Sequence, residues 1–310
     1  MTDVSAPDFA PVCSAHDPAP RPPGFAMPPG ACDTHAHVCG PAARFPYARE
    51  RIYTPPDATL TDYRLMLRAL GVQRAVLVQP SVYGTDNRAM LSAMAEAGPG
   101  MRGVAVVDPA IATPEIERLH AAGVRGVRFN LVDRREGKNV VPAAVLSALA
   151  GKIAPLGWHI EFLVNFDAAA GFGAAVEGLP VPIVLGHLGY PQSAGAATFA
   201  TSPAVDDLLR LVERGRCWIK LTGPYRISQA ADLPYADVDA LAAKLVETAP
   251  ERLIWGSDWP HVMMKKPMPN DGPLADLLAR WIPDAATRQR VLVDNPAALY
   301  GFAPDERMTA

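Results

Sequence analysis

Eight short runs rich in β-branched and aromatic residues recur along this chain, at positions 31–37, 74–79, 102–107, 124–129, 158–164, 181–186, 217–221 and 252–256. They alternate with Ala/Leu-rich stretches, the pattern expected of parallel strands buried on both faces and covered by helices. Between them, at 60–70, 87–97, 114–122, 142–154, 167–177, 203–214 and 235–248, apolar residues recur at spacings of three and four, the period of a helix packed by one face. Past the last strand, 273–281 and 285–292 complete the ring, with 295–300 as a short extra helix. Parallel neighbours need a crossover connection, and eight strand–helix units in succession predict an α/β chain closed into a (β/α)₈ TIM barrel. A doubly wound open sheet is the rival architecture. No strand runs into a Gly-x-Gly-x-x-Gly or other phosphate-binding loop, which favours the barrel.

At 310 residues the chain fits one such barrel, and neither a repeat nor a linker divides it. The barrel is expected over 30–303, with a Pro-rich N-terminal arm over 1–29 and a C-terminal tail over 304–310. Pro7, Pro11, Pro18, Pro20, Pro22, Pro23, Pro28 and Pro29 exclude helix from the arm and favour extended structure. Such an arm wraps its own barrel or a neighbouring subunit, which leaves a homo-oligomer open. A formal net charge of -3 gives no basic surplus for nucleic acid or an anionic membrane, so the expected partner is a small molecule. Cys13, Cys32, Cys39 and Cys217 have neither metal-finger spacing nor the density of a disulfide scaffold, which places the chain in a reducing cytoplasm. There is no run of about 20 apolar residues and no basic-then-apolar leader pattern, so neither a membrane span nor export is expected.

In a parallel barrel the residues just beyond the C-terminal strand ends converge on one mouth. The first strand ends in Asp33-Thr34-His35-Ala36-His37, with two imidazoles two residues apart and hence on one face. A His-x-His is often decorative, but its place at a strand end favours function. The second runs into a polar turn in which Ser81 and Thr85 can donate to a ligand, while Asp86 and Asn87 serve equally well as helix caps. Arg128 lies within the fourth strand, followed by Arg134 and Arg135, and a guanidinium inside a barrel needs an anionic partner from the protein or from a substrate. The sixth strand ends at His187 and the eighth at Asp258. Alone, either is an ordinary core histidine or helix cap; with His35 and His37 at the same mouth they form a candidate catalytic set.

These residues resemble the amidohydrolase superfamily, whose signature is a first-strand His-x-His with an eighth-strand Asp. The resemblance runs from about Gly30 to Phe302. More narrowly, Arg44-Phe45-Pro46-Tyr47, Tyr53-Thr54-Pro55, Gly84-Thr85-Asp86-Asn87-Arg88, Leu221-Thr222-Gly223-Pro224-Tyr225-Arg226 and Ser257-Asp258-Trp259-Pro260-His261 look like its lactonase branch. The branch implies hydrolysis of a carboxylated lactone, 2-pyrone-4,6-dicarboxylate or a close analogue, in aromatic catabolism such as protocatechuate degradation. It implies Asp258 as general base, with His35, His37 and His187 around the lactone carbonyl. Arg128, Arg134 and Arg226 would hold substrate carboxylates, assisted by Tyr53 and Ser81, and a guanidinium fork suits a dianion better than a neutral ester. For Arg134, in a loop, a surface ion pair is the alternative. Two departures touch substrate positions. The fifth strand supplies no tyrosine within 161–165, and His261 stands where an amide-type contact is expected.

Related enzymes often hold metal, and here the fourth strand carries Arg128 where a binuclear site wants a carboxylated lysine. The fifth strand offers only His159, near its wrong end. His35, His37 and Asp258, with His187, still suffice by type for one Zn²⁺. A nearby arginine opposes a cation, so catalysis without a cofactor is the expectation and a single zinc the alternative. The rival readings are an aldarolactone or muconolactone-type lactonase or lactone isomerase, a metal-dependent decarboxylase of the same superfamily, and a barrel that binds ligand without turnover.

Overall fold

The computed structural model describes residues 10–133, 137–192 and 195–308. Eight parallel strands follow one another around a single sheet in chain order: β1 (Cys32–Ala36), β2 (Arg74–Val78), β3 (Met101–Ala105), β4 (Val124–Asn130), β5 (His159–Leu163), β6 (Ile183–Leu185), β7 (Cys217–Leu221) and β8 (Leu253–Trp255). The ring closes where β8 returns to β1: Asp258 N donates to the His35 carbonyl and His37 N to the Trp259 carbonyl, both at 2.8 Å. This is a (β/α)₈ barrel, as the strand runs predict. No helix among the described residues is long and apolar enough to cross a membrane.

Outside the ring lie α1 (Leu60–Leu70), α2 (Arg88–Ala97), α3 (Thr113–Ala121), α4 (Ala143–Ile153), α5 (Phe172–Glu177), α6 (Gly195–Phe199), α7 (Pro203–Glu213), α8 (Asp239–Thr248), α9 (Asp271–Ala275), α10 (Leu277–Trp281), α11 (Ala285–Gln289) and α12 (Asn295–Tyr300). The first of these illustrates the local logic. Thr59 and Asp62 form a reciprocal capping box, Gly71 ends the helix in a left-handed turn, and Tyr63, Met66, Leu67 and Leu70 form its buried face. Three predicted helices are broken. The span 167–177 becomes a 3₁₀ turn, Phe166–Ala168, and then α5, because Gly171 at φ 73° interrupts it. The span 273–281 divides into α9 and α10, and 285–292 runs through α11 into a π-helical turn, Arg290–Asp294.

The sheet register matters for function at one place. Arg128 on β4 pairs with Glu161 on β5, so both side chains turn to the same side of the sheet, the barrel interior. From the described part of the N-terminal segment, Arg21 N donates to Asn270 Oδ1 (2.9 Å) and Gly24 N to Asp276 Oδ1 (2.6 Å). This segment therefore runs against the helices that follow β8.

Candidate active site

The C-terminal ends of the strands enclose a cavity of about 270 Å³ lined by His37, Tyr53, Ser81, Arg128, His187, Arg226 and Asp258. Tyr190, Gln192, Tyr225 and Lys266 complete its rim. Seven of the residues singled out from sequence thus meet at one mouth. His35 lies just beneath, its ring 5.1 Å from those of both His37 and His187. Arg134 lies outside the described residues. His261 is fully buried and does not line the cavity: its ring nitrogens face Tyr225 and Asp271.

The hydrogen bonds fix which atoms face the cavity. His37 Nδ1 is 2.7 Å from the Val78 carbonyl, which can only accept, so Nδ1 carries the proton and Nε2 presents a lone pair. His35 Nδ1 lies between Glu161 Oε1 at 3.3 Å and Lys220 Nζ at 3.2 Å, an acceptor and a donor, so these contacts admit either tautomer. Glu161 is held ionised by Lys220, whose Nζ lies 2.6 Å from Glu161 Oε2 and also donates to the Thr34 carbonyl. The Asp258 carboxylate is asymmetric. Its Oδ2 accepts from Arg226 Nε at 2.5 Å and from the Tyr225 hydroxyl at 2.6 Å. Its Oδ1 is buried with no protein partner, 3.8 Å from His35 Nε2, which has none either.

Electrostatics follow from this arrangement. Burial works against ionisation of Asp258, but Arg226, with His187 and His35, more than reverses it and holds the carboxyl well below the usual range. Burial, then Arg128, pulls His37 down to about 4. Burial, helped by Arg226 and Arg128 against Asp258, pulls His187 down to about 3. At neutral pH the site therefore holds an ionised carboxylate among neutral imidazoles.

The backbone here is strained where the chemistry is. His187, Leu188 and Tyr190 after β6 have φ of 51°, 54° and 50°, and Asp258, His261 and Met263 after β8 have 67°, 59° and 59°. Left-handed non-glycine residues cost on the order of 1–3 kcal/mol each and persist only where the surroundings over-determine them. Gly223, at φ 56°, shows how tight those surroundings are: a Cβ there would lie 2.8 Å from both Asp258 Oδ2 and His187 Nδ1.

One ligand atom from each of His35, His37 and Asp258 lies within 4.8 Å of the others. His37 Nδ1 is engaged by a carbonyl acceptor, the support that metal-binding imidazoles ordinarily have, and by residue type the triangle fits a divalent cation. It fits equally well a water molecule that donates its two protons to Asp258 and His37. Sequence reasoning passed over the Glu161–Lys220 pair under His35, although a signal was present. Each is a charge inside an otherwise apolar strand, the same anomaly that drew attention to Arg128.

A (β/α)₈ barrel with histidines at β1 and β6 and an aspartate after β8 defines a class of hydrolytic enzymes, and the sequence comparison agrees. Residues 32–302 match the amidohydrolase family, and the chain belongs to it. Among its relatives is a 4-sulfomuconolactone hydrolase from Rhizobium radiobacter, 39% identical, with 94% of this chain and 96% of that protein aligned. A 2-pyrone-4,6-dicarboxylate hydrolase from Comamonas testosteroni is also 39% identical, over 91% of this chain and 93% of that protein. The crystal structure of an Agrobacterium tumefaciens protein in its apo form superposes with a TM-score of 0.81 at 31% identity, covering 91% of this chain and 99% of the other.

Proposed function

We propose that this chain is a lactone hydrolase acting on a ring that carries carboxylate or sulfonate groups, 2-pyrone-4,6-dicarboxylate or a close analogue such as 4-sulfomuconolactone, in the breakdown of aromatic compounds. The named activities of the two relatives support the substrate class. The observation that carries the chemistry is the two-sided Asp258: one oxygen tied to Arg226 and Tyr225, the other buried and unbonded beside His35 at the cavity floor.

In this reading the anionic groups of the lactone dock on Arg128 and Arg226, with Arg134 as a third cation and Tyr53 and Ser81 donating hydrogen bonds. Water is oriented by donating one proton to Asp258 Oδ1 and the other to the lone pair of His37, which leaves its oxygen lone pair directed at the acyl carbon. As the C–O bond to water forms, Asp258 takes the water proton. The acyl carbon–ring oxygen bond then breaks, and Asp258 returns the proton to the departing enolate or alkoxide. His187, whose Nδ1 has no protein partner, is the imidazole free to present an N–H to the carbonyl oxygen as negative charge develops there. This assigns His37 to the water rather than to the carbonyl, with His35 beneath it beside Asp258 Oδ1.

No cofactor is required by this scheme. A divalent cation held by His35, His37 and Asp258 would supply Lewis-acid polarisation of the carbonyl and acidify water. We place the enzyme in the cytoplasm, where its four free cysteines would stay reduced.

The test is loss of the ultraviolet absorbance of 2-pyrone-4,6-dicarboxylate, and ring opening of 4-sulfomuconolactone, before and after chelation. Turnover of either that survives chelation is the expected result. Turnover lost to chelation and restored by zinc would put a cation in the triangle. Stoichiometric zinc with carbon dioxide release and no ring opening would replace this reading by a decarboxylase.

A further inference from the structure

From Tyr225, at the cavity rim, a chain of buried polar groups leads away from Asp258, and its far members, His261 and Asp271, have no part in the proposed hydrolysis. The Tyr225 hydroxyl, 2.6 Å from Asp258 Oδ2, lies 2.8 Å from His261 Nδ1. His261 Nε2 lies 3.0 Å from Asp271 Oδ1. All four residues are at most 4% exposed. Asp271 opens α9, capped by Asn270, whose Oδ1 accepts from Gly272 N. Asn270 is itself clamped from the N-terminal segment, by Arg21 N on Oδ1 and by the Asp17 carboxylate and the Ala19 carbonyl on Nδ2.

The hydroxyl of Tyr225 has one proton and two neighbours able to take it, Asp258 Oδ2 and His261 Nδ1. If His261 accepts, the phenol oxygen is left facing the carboxylate at 2.6 Å with no proton between them, a repulsive contact in a buried site. If His261 instead donates from Nδ1, the tyrosine proton is committed to Asp258. For His261 to donate from Nδ1 while Nε2 also faces a carboxylate, both contacts need a proton, and the His261–Asp271 pair shares those two protons between them. That arrangement leaves the buried group electrically balanced: Asp258 opposite Arg226, and the His261–Asp271 pair neutral as a unit.

We propose that His261 and Asp271 form a positioning relay that commits the Tyr225 hydroxyl to Asp258 Oδ2, and so fixes Oδ1 as the oxygen offered to the reacting water. His261 touches no substrate in this arrangement. It acts through Tyr225, and Asp271 acts through His261. The inference rests on the proposed role of Asp258, but its physical core, the hydrogen bond between Tyr225 and His261, does not.

That core is tested without substrate. In the ¹⁵N-labelled full-length chain, both ring nitrogens of His261, assigned by its loss in His261→Gln, are expected to appear as N–H donors, and Tyr225→Phe is expected to shift the Nδ1 signal. A bare Nδ1, or one indifferent to Tyr225→Phe, overturns the relay whatever the enzyme hydrolyses. The consequence is tested on the lactone that the wild type turns over. His261→Asn keeps a donor near the position of Nδ1, whereas His261→Gln keeps one near Nε2 and loses the contact to Tyr225. Placed with Asp271→Asn so that no buried carboxylate is left alone, the Gln variant should lose about 10–100-fold in kcat, the usual effect of removing an outer support, with KM within about two-fold. The Asn variant should recover most of that loss at a similar Tm. In a Tyr225→Phe background the Gln substitution should cost nothing further, since the two act through one contact. Multiplying effects in that double-mutant cycle, or a kcat that simply follows Tm in both variants, would reduce His261 to a core residue.

Discussion

Arginines gather at both ends of this barrel, and they meet different surroundings. At the N-terminal end, Arg74 donates to the carbonyls of Ala303, Pro304 and Glu306. Arg102 donates to the Pro99 and Gly301 carbonyls and to the Glu306 carboxylate. Both guanidiniums also flank the ring of Phe302, at 5.4 and 4.7 Å. Every one of these partners except Pro99 belongs to the segment after α12, so the arginines stitch the chain's end across the base of the barrel. At the mouth, Arg128 donates to the Gln79 carbonyl while its buried Nε has no partner, and Arg226 shares its donors between Asp258 and the Val262 carbonyl. At the base the guanidiniums are tied to the protein's own chain, although Arg102 Nε, like Arg128 Nε, is buried without a partner. At the mouth both guanidiniums line the cavity, where an anionic ligand can meet them.

The comparison breaks most decisively at Asp258. Asp258→Asn removes the proton acceptor and is expected to lower kcat by at least about 10³-fold, given what positioned bases contribute, while a bound lactone or product analogue is retained in equilibrium dialysis. Turnover close to wild type would remove Asp258 from the chemistry. Arg128→Leu comes next, with a loss of about 10²-fold in kcat/KM carried largely by KM, as expected for a charge-assisted contact worth roughly 1.5–3 kcal/mol. An unchanged KM for a dianionic lactone would mean that Arg128 serves the barrel rather than the ligand. Gly223→Ala tests the packing between the two: its Cβ would strike Asp258 and His187, so activity should fall by about 10-fold or more through displacement of both, with Arg128 untouched.

Much of this was legible in the chain itself. The eight strands announce themselves because each is buried on both faces, and such runs leave little room for a polar alternation that could mislead. Two of the helices that fail to read through are interrupted within an intact apolar period, one by a glycine at positive φ, Gly171, the other by a π-helical turn at 290–294. Catalytic candidates at strand ends are legible for a topological reason: parallel order sends His35, His187 and Asp258 to one mouth before any contact is known. What the chain does not disclose is direction. That His261 turns from the cavity toward Asp271 depends on the left-handed backbone at Asp258, His261 and Met263, and that His37 presents a lone pair depends on the Val78 carbonyl, a partner supplied by the neighbouring strand.

At the other end of the comparison, Glu306→Gln should leave kcat and KM within about two-fold of wild type and lower Tm by a few degrees, since it weakens a half-exposed ion pair that screening already limits. A kinetic effect there would show that the two ends communicate.

The smallest effect lies in the pH dependence, and its sign follows from the groups at the mouth. Asp258 is held well below the ordinary carboxylate range, opposed by burial but lowered by Arg226, while His37 and His187 are depressed to about 4 and about 3. Each group is therefore already in its working form at neutral pH: the carboxylate deprotonated and the imidazoles neutral. Activity should be flat from neutrality down to about pH 5 and fall as pH drops through the value of His37, where protonation removes the lone pair that orients water. Replacing Arg128 by leucine removes one of the charges that depress His37, so the acid limb of kcat should move to higher pH in that variant. Arg102→Met, at the far end, should leave the limb where it is. A limb near the ordinary histidine value in the wild type would mean that the imidazoles at the mouth are not as desolvated as their burial requires, and it would return the choice between water and carbonyl for His37 to experiment.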